Sequence, residues 1–236
     1  MTETKDRPLG PPVDPRPAKR PERVTLAGRW ITLAPLDAKT HAVDLYRGSH
    51  GDAKRESVWD YLFDGPYRNL DEFEASLALK AQSADPLFFA VVDNGSGRAL
   101  GYQTFLRIEP LHRVIEVGNI MYTPSMQRTA GATEAQFLFA EYVFETLGNR
   151  RYEWKCNDLN APSKRAAERF GFTFEGVFRQ HMIVKGRNRD TAWFAMLDSE
   201  WPAIKRAHQR WLAPDNFDDK GRQKLRLGEF MAEARA

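Results

Sequence analysis

The sequence predicts an α+β fold in which helices pack against one mixed sheet. Three observations predict this class. Strand-like segments occur in pairs typical of hairpins, a helix with apolar residues around most of its circumference stands between two strands, and a capped short helix precedes a final hairpin. The central strand–helix–strand unit should be right-handed and should give one parallel strand pair.

The first half of the chain supplies both kinds of element. Strands are indicated by alternating or continuous apolar runs, and helices by apolar residues spaced three to four apart. An Asn-Gly pair between two apolar runs is the strongest short signal for a hairpin. In order, the predicted elements are a strand at 24–36, a helix at 38–50, a helix at 70–82, a hairpin around Asn94–Gly95 and a strand at 113–122.

The second half is arranged around the buried helix. This helix covers residues 132–147, carries two apolar stripes and has Gly148 at its C-terminal end. Residues 151–157 alternate between apolar and polar side chains and therefore form a strand. Asn160 should cap a short helix that Gly171 ends. The last elements are a long hairpin at 172–197, with its turn in 185–190, and a helix at about 200–212.

The two ends of the chain differ in composition from the middle. Residues 1–22 hold six of the 14 prolines, with many charges and almost no large apolar side chain. Such a segment buries too little surface to offset its ordering entropy, so we expect a flexible arm. Residues 23–213 should form a single domain, and residues 214–236 a polar C-terminal tail.

Composition argues against several classes of protein and site. The one cysteine, Cys156, excludes an intrachain disulfide and a Cys-rich metal site, and no histidines are paired at helical spacing, so we expect no metal. A net charge of +3 is too small to argue for a nucleic-acid partner. The longest apolar run, at 87–92, is far shorter than the ~20 residues of a membrane span. Without the apolar core of a secretory signal, the N-terminus indicates a cytoplasmic protein.

The most informative stretch is MYTPSMQRTAGATEAQ, residues 121–136, where a strand ends and the buried helix begins. The free N–H groups and the positive dipole end of a helix bind anions when small residues allow close approach. Ala130, Gly131 and Ala132 allow it, and Arg128 adds a cation suited to phosphate. The alternative is a plain strand-to-helix turn whose small residues aid packing.

At this point the sequence resembles the GCN5-related N-acetyltransferases, and within them the group similar to the ribosomal-protein N-terminal acetyltransferases. The likeness runs in order through EVGNIMYTPSMQRTAGATEA, LGNRRYEWKCNDLNAPSKRAAERFGFTFEGVFRQ and GRNRDTAWFAML followed by EW, and spans roughly residues 24–211. It implies a GNAT-like, mostly antiparallel sheet with helices on both faces and a central β–α–β unit that binds acyl-CoA.

The resemblance further implies acetyl-CoA as co-substrate, with its pyrophosphate over the turn before the buried helix and its pantetheine beside the preceding strand. In the family's loop, Ala130 stands where glycine is usual, and its methyl group does not by itself prevent binding through backbone amides. The implied cofactor-binding residues are Ile120, Met121, Tyr122, Gln127, Arg128, Thr129, Ala130, Gly131, Ala132, Thr133 and Asn160.

A catalytic base is needed because only a neutral amine attacks a thioester, and an α-amine has a pKa of about 7.7–8. Glu116 lies among apolar residues in a predicted strand, where the wider family often carries a carboxylate. Burial there should raise its pKa, which suits a proton acceptor. The alternative is a surface glutamate on an edge strand.

A catalytic acid would protonate the departing thiolate. Asn160 and Ser163 fill the family's Asn-x-x-Ser motif, which implies a pantetheine contact for the asparagine and a candidate acid in the serine. A simple helix-capping pair is the alternative, and both roles can hold together. Tyr122 and Tyr152 are rival proton donors, or core residues.

The acceptor site has weaker signals. Trp59, Tyr61 and Phe63 fall where the family's N-terminal helices line the acceptor groove, although they can equally be packing residues. A basic cluster near the turn of the last hairpin is either a solvated face or a means of steering an acidic acceptor. It consists of Arg179, Lys185, Arg187 and Arg189. We expect Cys156 to be a buried apolar residue and Glu175 to be structural.

Together these features predict an N-acetyltransferase. It should transfer acetyl from acetyl-CoA to a primary amine, either a protein N-terminus or a small molecule, by direct attack in a ternary complex. Strand splay near Asn119–Tyr122 should offer a backbone N–H to the developing oxyanion. A non-catalytic acyl-CoA sensor or interaction module is the alternative. We expect a monomer or homodimer with no nucleic-acid or membrane partner.

Overall fold

The computed structural model describes residues 8–235, and its elements follow the predicted order. The strands are β1 (Leu26–Ala27), β2 (Ile31–Pro35), β3 (Leu87–Asp93), β4 (Ala99–Glu109), β5 (Val114–Tyr122), β6 (Arg151–Asn157), β7 (Thr173–Val184) and β8 (Arg187–Leu197). The helices are α1 (Ala38–Ser49), α2 (Ala53–Glu56), α3 (Leu70–Gln82), α4 (Ala130–Glu141), α5 (Ala161–Phe170), α6 (Trp201–Leu212) and α7 (Leu227–Arg235).

The eight strands form one sheet in the order β1-β2-β3-β4-β5-β6-β8-β7. Only β5 and β6 run parallel, joined through α4, and the other neighbouring pairs are antiparallel. This confirms the predicted α+β class with a mostly antiparallel sheet and a central β–α–β unit.

Helices cover both faces of the sheet, as predicted. On β3, Phe89 and Val91 belong to the main apolar cluster, which includes residues of α4 to α7, whereas Phe88 and Ala90 belong to a second cluster with residues of α1 and α3. Neighbouring strand residues point to opposite faces, so the two clusters lie on opposite sides of the sheet. In the main cluster, Phe139 stacks on Phe105 with ring centroids 3.8 Å apart.

A buried carboxylate fixes the start of α4 against the beginning of the sheet. Glu134 accepts hydrogen bonds from the backbone N–H groups of Arg29 (2.7 Å), Trp30 (2.8 Å) and Ile31 (3.0 Å). Glycine is required at position 28, because a Cβ there would lie 2.4 Å from the Glu134 Cδ atom. The turn between β1 and β2 therefore closes around this one side chain.

The N-terminal arm is partly attached to the domain. Residues 8–22 contain no regular helix or strand, but the Ala18 N–H donates to the Pro110 carbonyl (3.0 Å) and the Lys19 N–H to the Leu147 carbonyl (2.9 Å). Residues 1–7 of the predicted flexible arm lie outside the described residues.

The C-terminal residues differ from the predicted polar tail. They form α7, whose Leu227, Phe230 and Met231 are buried in the main cluster. Three apolar side chains at helical spacing are enough to seat a short helix, although the segment as a whole is polar. Within the described residues, none of the helices is both long and apolar enough to cross a membrane.

Candidate active site

A cleft of about 1560 Å³ opens where β5 and β6 separate. Their parallel pairing ends at Val117 opposite Trp154, although β5 continues to Tyr122 and β6 to Asn157. Past that point the facing backbone groups of the two strands are not paired with each other. The splay that the sequence analysis predicts near Asn119–Tyr122 is therefore present, and it exposes strand backbone to the cleft.

An irregularity at Asn119 decides which β5 side chains reach the cleft. This residue has a φ of +46°, and the register against β4 shifts nearby. Ile120 and Tyr122 consequently pack against the same cluster as Val117 and line the cleft. Met121 is instead buried in the second cluster, so its side chain does not join the other candidate cofactor-binding residues.

The predicted anion-binding turn forms one wall of the cleft. Thr129 caps α4, since its Oγ1 accepts from the Ala132 N–H at 3.1 Å. The N–H groups of Ala130 and Gly131, in the first turn, have no acceptor within the helix. Arg128 is exposed beside them. Gln127 and Thr133 complete this wall.

The turn before α4 is closely packed against β2. A Cβ on Gly131 would lie 2.6 Å from the Ile31 Cγ2 atom, so only glycine fits against β2. The methyl group of Ala130 packs against the main cluster. Ala130 also lines the cleft.

Further cations surround the same end of the cleft. Arg169 donates from Nη1 to the Thr133 Oγ1 at 3.0 Å and lies 5.1 Å from the Trp211 ring centroid. Burial lowers the pKa of Arg169. Arg165 and Arg222 also line the cleft. With Arg128, they make this end strongly positive.

Asn160 and Ser163 lie at the N-terminus of α5 and line the cleft. The Asn160 Oδ1 accepts from the Ser163 N–H at 3.1 Å, which is the capping arrangement. The Ser163 Oγ accepts from the Trp154 Nε1 at 3.0 Å. The indole can only donate, so the serine proton is directed elsewhere, and the hydroxyl also forms a hydrogen bond with the Cys156 thiol. The nearby Cys156 is buried, and burial raises the pKa of its thiol.

Glu116 is 5% exposed and belongs to a central strand, which rules out an edge-strand surface role. Its Oε2 lies 2.7 Å from the Lys155 Nζ and 3.5 Å from the Arg107 Nε. Burial raises the pKa of Glu116, and the positive charge of Lys155 opposes that rise. The carboxylate lines the cleft and is held by two cations.

Lys155 lies between two carboxylates, an arrangement that the sequence pattern does not indicate. Its Nζ bridges Glu116 and Glu153, at 2.6 Å from the latter, and lies 3.9 Å from the Trp193 ring centroid. Glu116 and Glu153 are direct register partners on β5 and β6. Two carboxylates at paired positions repel each other unless a cation stands between them, which explains the buried lysine.

Neither tyrosine offers a free phenol to the cleft. The Tyr122 hydroxyl donates a hydrogen bond to the Gln103 Oε1 and accepts one from the Gln136 Nε2 at 2.9 Å. Burial raises its pKa. Tyr152 is fully buried and does not line the cleft, and within residues 8–235 its hydroxyl has no hydrogen-bond partner.

The loop before α3 closes the far side of the cleft. Trp59 is fully buried and donates to the Ser49 carbonyl at 3.0 Å, so it is a packing residue. Tyr61 and Phe63 line the cleft. The loop also contacts the last hairpin, because the Lys185 Nζ donates to the Trp59 carbonyl at 2.8 Å.

Two further expectations concern Glu175 and metal binding. Glu175 pairs with Arg151, whose Nη1 lies 2.8 Å from the Glu175 Oε1, consistent with a structural role. Among the described residues there is no group of three or more His, Cys, Asp or Glu that could hold a metal ion.

Solved structures of other proteins share this fold. A GCN5-related N-acetyltransferase from Brucella melitensis has a crystal structure that is 53% identical, with a TM-score of 0.89, over 92% of this chain and 98% of that one. A probable GNAT-family acetyltransferase from Chromobacterium violaceum is 40% identical, with a TM-score of 0.75, over 84% of this chain and 100% of that one.

Similarity extends to a curated protein and to a family model. The curated protein is YnaD of Bacillus subtilis, an uncharacterized N-acetyltransferase, which is 27% identical over 146 residues, or 61% of this chain and 83% of that protein. The model of the acetyltransferase (GNAT) domain matches residues 31–173. The chain therefore belongs to the GNAT acetyltransferases.

Proposed function

We propose that this acetyltransferase moves an acetyl group from acetyl-CoA to a primary amine by direct attack in a ternary complex. One observation carries the proposal: the separation of β5 and β6 gathers the α4 turn, Glu116 and Ser163 around one cleft. The bound thioester supplies an activated acetyl group. The remaining steps require an anion site, a proton acceptor and a proton donor, and the cleft offers residues for each.

The α4 turn would hold the diphosphate of acetyl-CoA. Its free N–H groups at Ala130 and Gly131 and the helix dipole favour an anion, and Arg128 adds charge. The edge of β5 beyond Val117 that is not paired with β6 would accompany the pantetheine arm, with Ile120, Tyr122 and Asn160 alongside. A backbone N–H in this stretch would donate to the oxygen that becomes negative during attack.

Arg128 allows the cofactor site to be tested directly. Arg128→Ala should raise the Kd for acetyl-CoA about tenfold, because a charge-assisted contact to the diphosphate is lost. Isothermal titration calorimetry measures this change. Arg206→Ala is the matched control, since Arg206 is exposed on α6 and does not line the cleft. Equal affinities for the two variants would contradict the assignment.

Glu116 would accept the proton of the attacking amine. Its buried position raises the pKa, and Lys155 and Arg107 hold its Oε2 in place. A fixed carboxylate with a raised pKa accepts a proton more readily than an exposed one. It acts directly or through a water molecule.

Ser163 would protonate the departing thiolate. Ser163→Ala should lower kcat about tenfold at saturating acetyl-CoA. Tyr122→Phe should instead lower stability by about 1 kcal/mol, because its hydroxyl is bonded to two buried glutamines. Steady-state kinetics and urea unfolding of both variants show which of the two hydroxyls protonates the thiolate. A larger loss of kcat in Tyr122→Phe would transfer the role to the tyrosine.

The acceptor is either a protein N-terminus, as in the group similar to the ribosomal-protein acetyltransferases, or a small-molecule amine. The non-catalytic sensor, which rests on the alanine at position 130, is the alternative. CoA release from acetyl-CoA with a panel of amines and peptides tests the function. Tight binding of acetyl-CoA without acetylation of any of them would overturn it.

A further inference from the structure

One member of the basic cluster differs from the others. Arg189 is 7% exposed, whereas Arg179, Lys185 and Arg187 are all exposed on the hairpin formed by β7 and β8. Its buried Nε has no hydrogen-bond partner in the part of the chain that the structure describes. Among residues 8–235, no carboxylate lies within 4.0 Å of its guanidinium group. The group lies against Phe63, whose ring centroid is 5.1 Å from the Cζ atom.

A buried guanidinium group without a partner is costly, because charged groups lose their hydration on burial. Lys155, by contrast, is paired with Glu116 and Glu153. Burial lowers the pKa of Arg189, and the negative charge of Glu116 opposes that change. Packing alone gives no reason for arginine at this position.

The location of Arg189 connects it to the acceptor side. It lines the main cleft and also a second cavity of about 330 Å³, which lies between the loop before α3 and the hairpin. The cations of the α4 turn do not line this second cavity. Three cations, Lys185, Arg187 and Arg189, face one carboxylate there, that of Asp60.

We propose that the acceptor is a small amino carboxylic acid whose carboxylate pairs with Arg189. The inference rests on the proposed acetyl transfer and names its substrate class. A guanidinium fork binds a carboxylate through two parallel hydrogen bonds, and Phe63 keeps the fork in place. The amine of the same molecule would then point along the cleft toward Glu116.

The size of the second cavity favours a small acceptor over a polypeptide. The loop before α3 is tied across it, because the Lys185 Nζ donates to the Trp59 carbonyl (2.8 Å) and the Tyr61 hydroxyl to the Leu159 carbonyl (3.3 Å). These two contacts narrow the exit through which a longer chain would have to pass.

The test compares amino acids with their primary amides, which keep the amine and the side chain but lack the carboxylate. CoA release is measured with the full chain for wild type, Arg189→Met, Arg189→Lys and the control Arg179→Met, in the same hairpin but outside both cavities. In wild type and the control, kcat/KM should be about 100-fold higher for the amino acids than for their amides. Arg189→Met should abolish the preference through KM, and Arg189→Lys should keep part of it.

A second readout separates this proposal from the proposed function. The thermal unfolding midpoint of the CoA-loaded protein should rise with added amino acids in wild type and not in Arg189→Met. Arg189→Met should itself unfold at a higher temperature, since an unpaired buried charge is removed. No acetylation of any amine together with an Arg189-dependent shift would overturn acetyl transfer and keep the carboxylate site. Equal turnover of acids and amides, better turnover of acidic peptides, or no shift with any amino acid would overturn the carboxylate site.

Discussion

Glu116→Gln should lower kcat/KM for amine acetylation about 100-fold or more, which is the usual contribution of a positioned general base. Glutamine has almost the same shape, so the fold and the contact with Lys155 should be kept while the proton acceptor is lost. Glu153→Gln is the matched control. Glu153 contacts the same lysine but does not line the cleft, and its loss should be under about tenfold.

The pH profile supplies a second criterion. The base acts only when ionised, and burial raises the pKa of Glu116. The pKa of an ordinary glutamate is roughly 4.3. Wild-type activity should therefore fall as the pH is lowered through a pKa higher than this ordinary value. This fall at low pH should be missing from the pH profile of Glu116→Gln. Both proteins are measured with the same acceptor, and the rates are corrected for the ionisation of its amine. Similar losses and similar profiles in the two variants would contradict the assignment.

Glu134→Ala should lower the free energy of unfolding by about 3 kcal/mol, the largest stability effect that we expect. The substitution leaves three backbone N–H groups without their acceptor, and each such group costs about 1–3 kcal/mol when buried. Urea unfolding followed by circular dichroism measures the change.

Glu141→Ala is the control for this stability effect. Glu141 lies on the same helix and forms a partly exposed ion pair with Lys205 at 3.1 Å. Its removal should cost less than about 1 kcal/mol. If the two alanine variants were equally stable, Glu134 would not be holding the turn between β1 and β2.

The sequence patterns predict local structure well because their causes are local. The caps at Asn160 and Thr129 and the stop at Gly171 depend on neighbours within a few residues. The same is true of the anion-binding turn, where small residues directly precede and begin a helix. The hairpin between β3 and β4 forms as predicted, but its positive φ lies at Gly97 and not at Asn94 or Gly95. Glu116 could be identified because one carboxylate in an apolar strand is itself unusual.

Features that depend on distant contacts could not be predicted. Glu134 appears as one more polar residue of a helix until residues 29–31, about a hundred positions earlier, are brought to it. The burial of Met121 depends on one positive φ at Asn119, which shifts the alternation of the strand. Arg189 stands among exposed cations in sequence, and only the path of β8 places it in the cleft.

The early end of pairing between β5 and β6 has a consequence for protein engineering. Extending that pairing past Val117 and Trp154 would add sheet hydrogen bonds, and a design procedure that optimises stability alone would favour it. The same change would fill the opening from which the cleft is built. Residues 118–122 and 155–157 should therefore be held fixed in any stabilised variant, and stabilising substitutions sought elsewhere.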